Sequence, residues 1–312
     1  MRILVTGAAG QLGQAFSEVF GERLPAQVTV DYVDLAQINL ADEAATRALL
    51  RSIKPALVIN CAAYTAVDAA EDNEAMALAI NATAVSVIAD ELRQIGGALV
   101  HFSTDYVFDG RKSGAYFVND APNPLSAYGR TKLAGELAAL SGGIPAVVFR
   151  TSWVFSHVGG NFMLTMIKLM QEREELNVVA DQYGVPTSAW EMARFVTDKV
   201  VLPLIAQGAW GGLPKGMMHL VPAGATNWFE YASHVRSFLA KTPPAGVSLR
   251  CQRLSPINAD QYKTKAQRPQ NSRLDMRATV AAYGSGLGDW RGALDETLQR
   301  WARARAAGND GA

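Results

Sequence analysis

A set of glycines spaced three apart, close to the start of the chain, constrains the fold more than any feature after it. Gly7-Ala8-Ala9-Gly10-Gln11-Leu12-Gly13 follows the apolar residues Ile3, Leu4, Val5 and Thr6 without a break and opens a helical pattern over 12–20. Glycine tolerates the tight turn between a buried strand and a helix, and its bare Cα lets backbone come close to a pyrophosphate. The helix then turns free N–H groups and the positive end of its dipole towards that anion. Strand, glycine turn and helix in this order predict a dinucleotide-binding unit with Gly7, Gly10 and Gly13 at its turn.

The alternation continues. Further strands are expected at 28–31, 57–60, 99–103 and 146–150, separated by helices over 42–53 (capped by Asp42), 74–94 (stopped at Gly96-Gly97) and 128–140. Apolar strands alternating with helices imply a parallel sheet covered on both faces, a Rossmann-type doubly wound α/β fold. Beyond it, helices are expected at 161–174, 190–205 and 290–306, and a strand at 217–221. Residues 242–273 read as loops over a site, and 308–312 as a frayed end. The expected division is a dinucleotide-binding domain over 1–155 and a smaller, mainly substrate-binding lobe over 156–312. Part of that lobe, about 186–222, should pack back on the first domain.

Composition narrows the classes of function. Of 312 residues, 49% are hydrophobic and 19% charged, and the formal net charge is zero. No basic field would draw such a chain to nucleic acid or an anionic membrane, although a small anion needs only a local cluster of donors. Cys61 and Cys251 are the only cysteines, too few for a disulfide framework or a clustered metal site, as suits a reducing compartment. The first residues form a strand and turn rather than a signal peptide, and no uninterrupted apolar run nears the ~18 residues of a membrane span. A cytoplasmic protein is expected. His101 reads as structural, and His157, His219 and His234 lack metal-ligand spacing.

Three positions suggest chemistry. Asp31 closes the second expected strand, where a carboxylate can accept hydrogen bonds from an adenosine ribose and disfavour a 2′-phosphate. Tyr128 and Lys132 lie four apart, on one helix face. An ammonium can lower a tyrosine from its ordinary pKa of about 10. Tyr128 could then protonate the alkoxide formed when hydride reaches a carbonyl, while Lys132 holds the nicotinamide ribose. Thr104 ends the fourth strand, on the edge where open α/β sheets bind ligands, and would share its proton with Tyr128.

With these residues in place, the sequence resembles the dTDP-4-dehydrorhamnose reductases of the extended short-chain dehydrogenase/reductase family. The likeness rests on 60–68 (NCAAYTAVD), 103–110 (STDYVFDG), 150–155 (RTSWVF), 181–187 (DQYGVPT) and 268–275 (RPQNSRLD), and runs from Met1 to about Trp290. It implies reduction of the C4 ketone of dTDP-4-dehydro-L-rhamnose by NADPH or NADH. It further implies Gly10, Gln11 and Leu12 at the cofactor phosphates, Asp31 at the ribose, Asn39 and Leu40 near the adenine, and Ala62, Ala63 and Tyr64 along the cofactor. Thr104 and Asp105 would touch the sugar, with Trp153 packed on it, Tyr128 donating the proton and Lys132 as its partner. Arg268 and Arg273 are guanidinium forks suited to a diphosphate. Some members of the family dimerise through magnesium held by glutamates; the matching positions here are Ala15 and Trp190, with Glu191 adjacent, so no metal is expected and the chain would be a monomer or a homodimer. Two other functions share this fold. A sugar-nucleotide dehydratase would carry Glu after Asp105, where this chain has Tyr106. A cofactor-holding regulatory subunit would not need Thr104, Tyr128 and Lys132 together.

Overall fold

The computed structural model describes residues 1–308 apart from 209–211, 214 and 245. The expected frayed end lies outside these residues, Gly308 excepted.

The first half lays down β1 (Arg2–Thr6), α1 (Gln11–Arg23), β2 (Thr29–Val33), α2 (Glu43–Ile53), β3 (Leu57–Asn60), α3 (Val67–Ala70), α4 (Glu74–Leu78), α5 (Ala84–Ile95), β4 (Ala98–Thr104), α6 (Ala127–Ser141) and β5 (Ala146–Thr151). The local chemistry is the expected one at several ends. Asp42 caps α2 by accepting from Ala45 N, and Gly96 ends α5 in the left-handed region at φ 74°. The second half adds β6 (Val154–Phe155), α7 (Phe162–Glu172), β7 (Glu175–Val179), β8 (Tyr183–Gly184), β9 (Thr187–Ser188), α8 (Ala189–Val196), α9 (Leu202–Gln207), β10 (Gly216–His219), β11 (Thr226–Asn227), α10 (Trp228–Lys241), β12 (Arg253–Ile257), α11 (Arg277–Tyr283) and α12 (Trp290–Ala306).

Six parallel strands form the central sheet in the order β10-β5-β4-β3-β1-β2. Side chains alternate across it. Ile3, Val5, Leu57, Ile59, Val100 and Phe149 face α1, α8 and α9, while Leu4, Val58, Leu99 and Val148 face α2, α5 and α6. Strand order reverses between β1 and β3, so the cleft at the switch point opens at the carboxyl ends of those two strands. A separate core forms beside the sheet around Phe155, Met163, Ile167, Tyr231, Trp290 and Leu298, supported by the parallel pair β7–β12.

Several elements depart from expectation. The helix expected at 74–94 contains a π-helical turn over Ala79–Thr83. That turn carries Asn81, whose side chain accepts from Tyr64 N (2.8 Å) and donates to Tyr64 O (3.2 Å) and Thr131 Oγ1 (3.1 Å). A second π-helical turn, Thr197–Val201, divides the helix expected at 190–205. Residues 242–273 are not all loop, because β12 pairs there with β7. Glu74–Ile95 as a whole is long and apolar enough to cross a membrane, yet 56% of its most apolar window is buried inside the fold.

Candidate active site

The cleft at the switch point, with a cavity of about 540 Å³, is lined by Gly7, Gly10, Gln11 and Leu12 from the glycine loop, Asp34, Asn39 and Leu40 beyond β2, and Ala62 and Ala63 beyond β3. Tyr128 and Lys132 close its inner end. The glycines are required by contact. Gly7 sits at φ +66°, and a Cβ on it would stand 2.6 Å from Ala62 N. A Cβ on Gly13 would stand 2.2 Å from Gly7 O. Gly13 therefore packs the helix against its own loop from behind instead of lining the cleft. Gly10 caps α1 without a side-chain partner, leaving the helix N–H groups to the cleft. This cradle fits a dinucleotide pyrophosphate.

Asp31 is not in the cleft. β2 continues to Val33, and Asp31, within the strand, is held on the surface by Arg2 through two hydrogen bonds of 2.9 Å. Asp34 has the position expected of it. Its carboxylate accepts from Ala9 N (2.7 Å) and Leu35 N (2.7 Å), which fixes it beside the glycine loop. Tyr64 is also off the cleft wall; with Tyr128 it packs against Ala70, Ala77 and Ala127, and Thr65 lines the cleft instead.

Lys132 is buried and donates to Phe102 O at 2.6 Å. Burial lowers its pKa to about 8, opposed chiefly by the charge of Glu136. Burial pushes the Tyr128 hydroxyl up to about 12, and a hydrogen bond with Thr104 opposes the rise. The acidifying effect expected of Lys132 on Tyr128 is therefore not the governing one: the ammonium acts on Cys61 and His101, and desolvation governs the phenol. Tyr128 keeps its proton at neutral pH, as a donor must.

Thr104 Oγ1 donates to Asp105 Oδ1 (3.1 Å) and accepts from Tyr106 N (3.2 Å). Asp105 is buried, its pKa raised to about 6 by desolvation against hydrogen bonds from Ser272 and Thr104, and its Oδ2 has no partner. Ser272 thus brings the 268–275 segment close to the strand-end pair. Tyr106 connects this centre to a second cavity: its ring meets Tyr128 edge-on at 5.5 Å, and its phenol feels the charge of Arg268.

The second cavity, about 1320 Å³, is lined mostly from the second half of the chain, by Phe162, Trp228, Gln182 and Arg268 among others, with Asp109, Gly110, Arg111 and Leu125 from the first half. Arg268 donates to Asp68 Oδ2 (3.2 Å) while its Nε is buried without a partner. Arg273 is not available to a ligand in the same way, since it braces Asn271 Oδ1 (2.7 Å) and Ser113 O (2.6 Å). Trp153, at φ 47°, is half-buried, and its ring stacks on Trp228 at 3.6 Å. Trp228, unmarked in the sequence reading, is the tryptophan on the cavity wall. Ala15 is packed in the core, and Trp190 lies under the guanidinium of Arg300 at 4.0 Å. Among the described residues no three His, Cys, Asp or Glu side chains gather as a metal site.

Known proteins are similar across almost the whole of this chain. A family model described as the RmlD substrate binding domain matches residues 1–303. A dTDP-4-dehydrorhamnose reductase of Burkholderia thailandensis is 41% identical over 297 residues, 94% of this chain and 97% of that protein. The crystal structure of a dTDP-4-dehydrorhamnose reductase from Clostridium acetobutylicum superposes with a TM-score of 0.85 at 32% identity, covering 96% of this chain and 99% of the other. That of Bacillus anthracis, in complex with NADP, gives 0.83 at 29% identity with the same coverage. This chain belongs to the RmlD substrate-binding domain family, among the dTDP-4-dehydrorhamnose reductases.

Proposed function

We propose that the protein reduces the C4 ketone of dTDP-4-dehydro-L-rhamnose to the alcohol of dTDP-L-rhamnose, using NADPH or NADH. The observation that carries this reading is Tyr128 at the inner end of a glycine-walled cleft, close enough to the Thr104 hydroxyl to be influenced by it and beside Lys132.

The glycine loop and the N-terminus of α1 would bind the cofactor pyrophosphate, with Asn39 and Leu40 beside the adenine and Asp34 at the adenosine ribose. A nicotinamide cofactor supplies hydride when bound. Lys132 would hold the nicotinamide ribose. Thr104 orients the ketone oxygen towards the Tyr128 hydroxyl. As negative charge develops on that oxygen, Tyr128 transfers its proton to it. A phenol, even at a pKa of about 12, is far more acidic than an alcohol, so the transfer runs downhill. Asp105 would accept a hydrogen bond from a sugar hydroxyl through its unpartnered Oδ2. Arg268 would exchange part of its pairing with Asp68 for the substrate diphosphate.

In this reading residues 1–155 hold the dinucleotide and 156–312 mainly the substrate, with 186–222 returned to the sheet. The setting is cytoplasmic, and the protein works as a monomer or a homodimer without a metal. The test is a coupled assay. dTDP-4-keto-6-deoxyglucose and a 3,5-epimerase are given to the purified protein with NADH or NADPH, and the product is identified by NMR. Formation of dTDP-L-rhamnose supports the reading; return of the unreduced keto sugar with both cofactors overturns it.

A further inference from the structure

A buried pair of opposite charges takes no part in the proposed steps, yet it stands next to Lys132. Glu136 lies one helical turn beyond Lys132 on α6, so the two side chains share a face. Its carboxylate receives two hydrogen bonds from Arg150 of β5, Nε to Oε1 at 2.7 Å and Nη2 to Oε2 at 2.6 Å. The two side chains are only 2% and 4% exposed. Removing water from two ions offsets most of their attraction, and apolar side chains of similar size would hold the core as well. Stability alone gives no reason for such a pair.

Its location does. Burial favours the neutral amine at Lys132, and the Glu136 carboxylate is the foremost influence favouring the ammonium; burial pushes the Cys61 thiol up, so it stays neutral and adds no charge. His101 of β4, on which the Lys132 charge acts, is held neutral and adds no charge of its own. From the far side Arg150 fixes the carboxylate. Its Nη1 reaches Val118 O at 3.5 Å and its guanidinium lies 4.9 Å from the Phe108 ring centroid, so Arg150 is itself clamped to the segment that follows Asp105. His219 of β10 faces Arg150, with Nδ1 on Asp275 O (2.9 Å); burial and the Arg150 charge keep it neutral, and it does not compete for Glu136.

We propose that Glu136, clamped by Arg150 and one helical turn from Lys132, is a positioning residue that keeps this lysine an ammonium in the wall of the cofactor cleft. This rests on the reading of Lys132 as the group that holds the nicotinamide ribose. The test is an NMR titration of 13C-lysine-labelled protein without substrate, with the Lys132 signal identified by its loss in Lys132→Met. The Lys132 midpoint should fall by about one pH unit or more in Glu136→Gln. It should fall by less in Glu136→Gln/Arg150→Met, because the guanidinium lost beyond the carboxylate offsets part of the change; this variant leaves no orphaned guanidinium and guards against loss of the fold. The basic limb of kcat/KM against pH should move down with it. An unmoved Lys132 midpoint in the folded double variant overturns the proposal. The titration needs no turnover, so its result is independent of the catalytic reading, which the reduction rate of Lys132→Met tests.

Discussion

At the scale of single residues, two carboxylates near the site differ because their surroundings differ. Asp34 is fixed by two backbone N–H groups beside the glycine loop, at what the proposed function makes the adenosine end of a cleft whose only cation, among the described residues, is Lys132. A 2′-phosphate there would meet a carboxylate with nothing to neutralise it. Replacing Asp34 with Ser should therefore improve binding of NADPH relative to NADH by roughly tenfold, about 1.4 kcal/mol, read by fluorescence titration; an unchanged ratio would remove Asp34 from the ribose site. Asp105 is instead stripped of water, and its pKa rises from 3.8 to about 6. Between those values the folded chain holds a proton that the unfolded chain has released. Stability should therefore fall as pH rises through that window, by roughly 2–3 kcal/mol. Urea midpoints measured across it should show this slope in the wild type and lose it in Asp105→Asn.

At the scale of elements, the glycine turn decides the geometry, and two glycines of α1 separate propensity from contact. Gly21→Ala meets nothing within 4 Å and should stabilise the helix by about 0.5–1 kcal/mol. Gly13→Ala gains the same propensity but drives a Cβ to 2.2 Å from Gly7 O. Overpacking of this kind costs about 1–3 kcal/mol, so the clash should win. Thermal melts should show opposite signs for the two variants, and Gly13→Ala alone should weaken cofactor binding. Elements of this kind were legible in the sequence because their signals are local: glycine spacing, the Asp42 cap and the apolar runs of β1, β3, β4 and β5 all lie within a few residues of what they specify. The carboxylate beside the cleft is Asp34 rather than Asp31 because β2 runs two residues further than its apolar start suggests, which carries Asp31 into the strand and leaves Asp34 at the end. Helix α10 was overlooked although Asn227 caps it by accepting from Glu230 N, a short-range signal that was present. The β7–β12 pair and the Ser272–Asp105 link could not be read locally, since each joins segments far apart in the chain.

At the scale of the whole molecule, the parallel sheet sets the glycine-walled cleft at its switch point, and the second core sets a larger cavity next to it. Tyr128, Tyr106 and Arg268 run from one to the other, so a nucleotide sugar in the larger cavity would bring its keto carbon to the cofactor end of the smaller. In the proposed function one proton leaves one phenol at that junction. Single-turnover oxidation of NADPH by the 4-keto sugar, compared between wild type and Tyr128→Phe with cofactor affinity measured separately, tests this most directly. The reduction step should slow by at least about 100-fold while NADPH binds within a few-fold of normal. A Tyr128→Phe enzyme that reduces the ketone at nearly the wild-type rate would contradict the account.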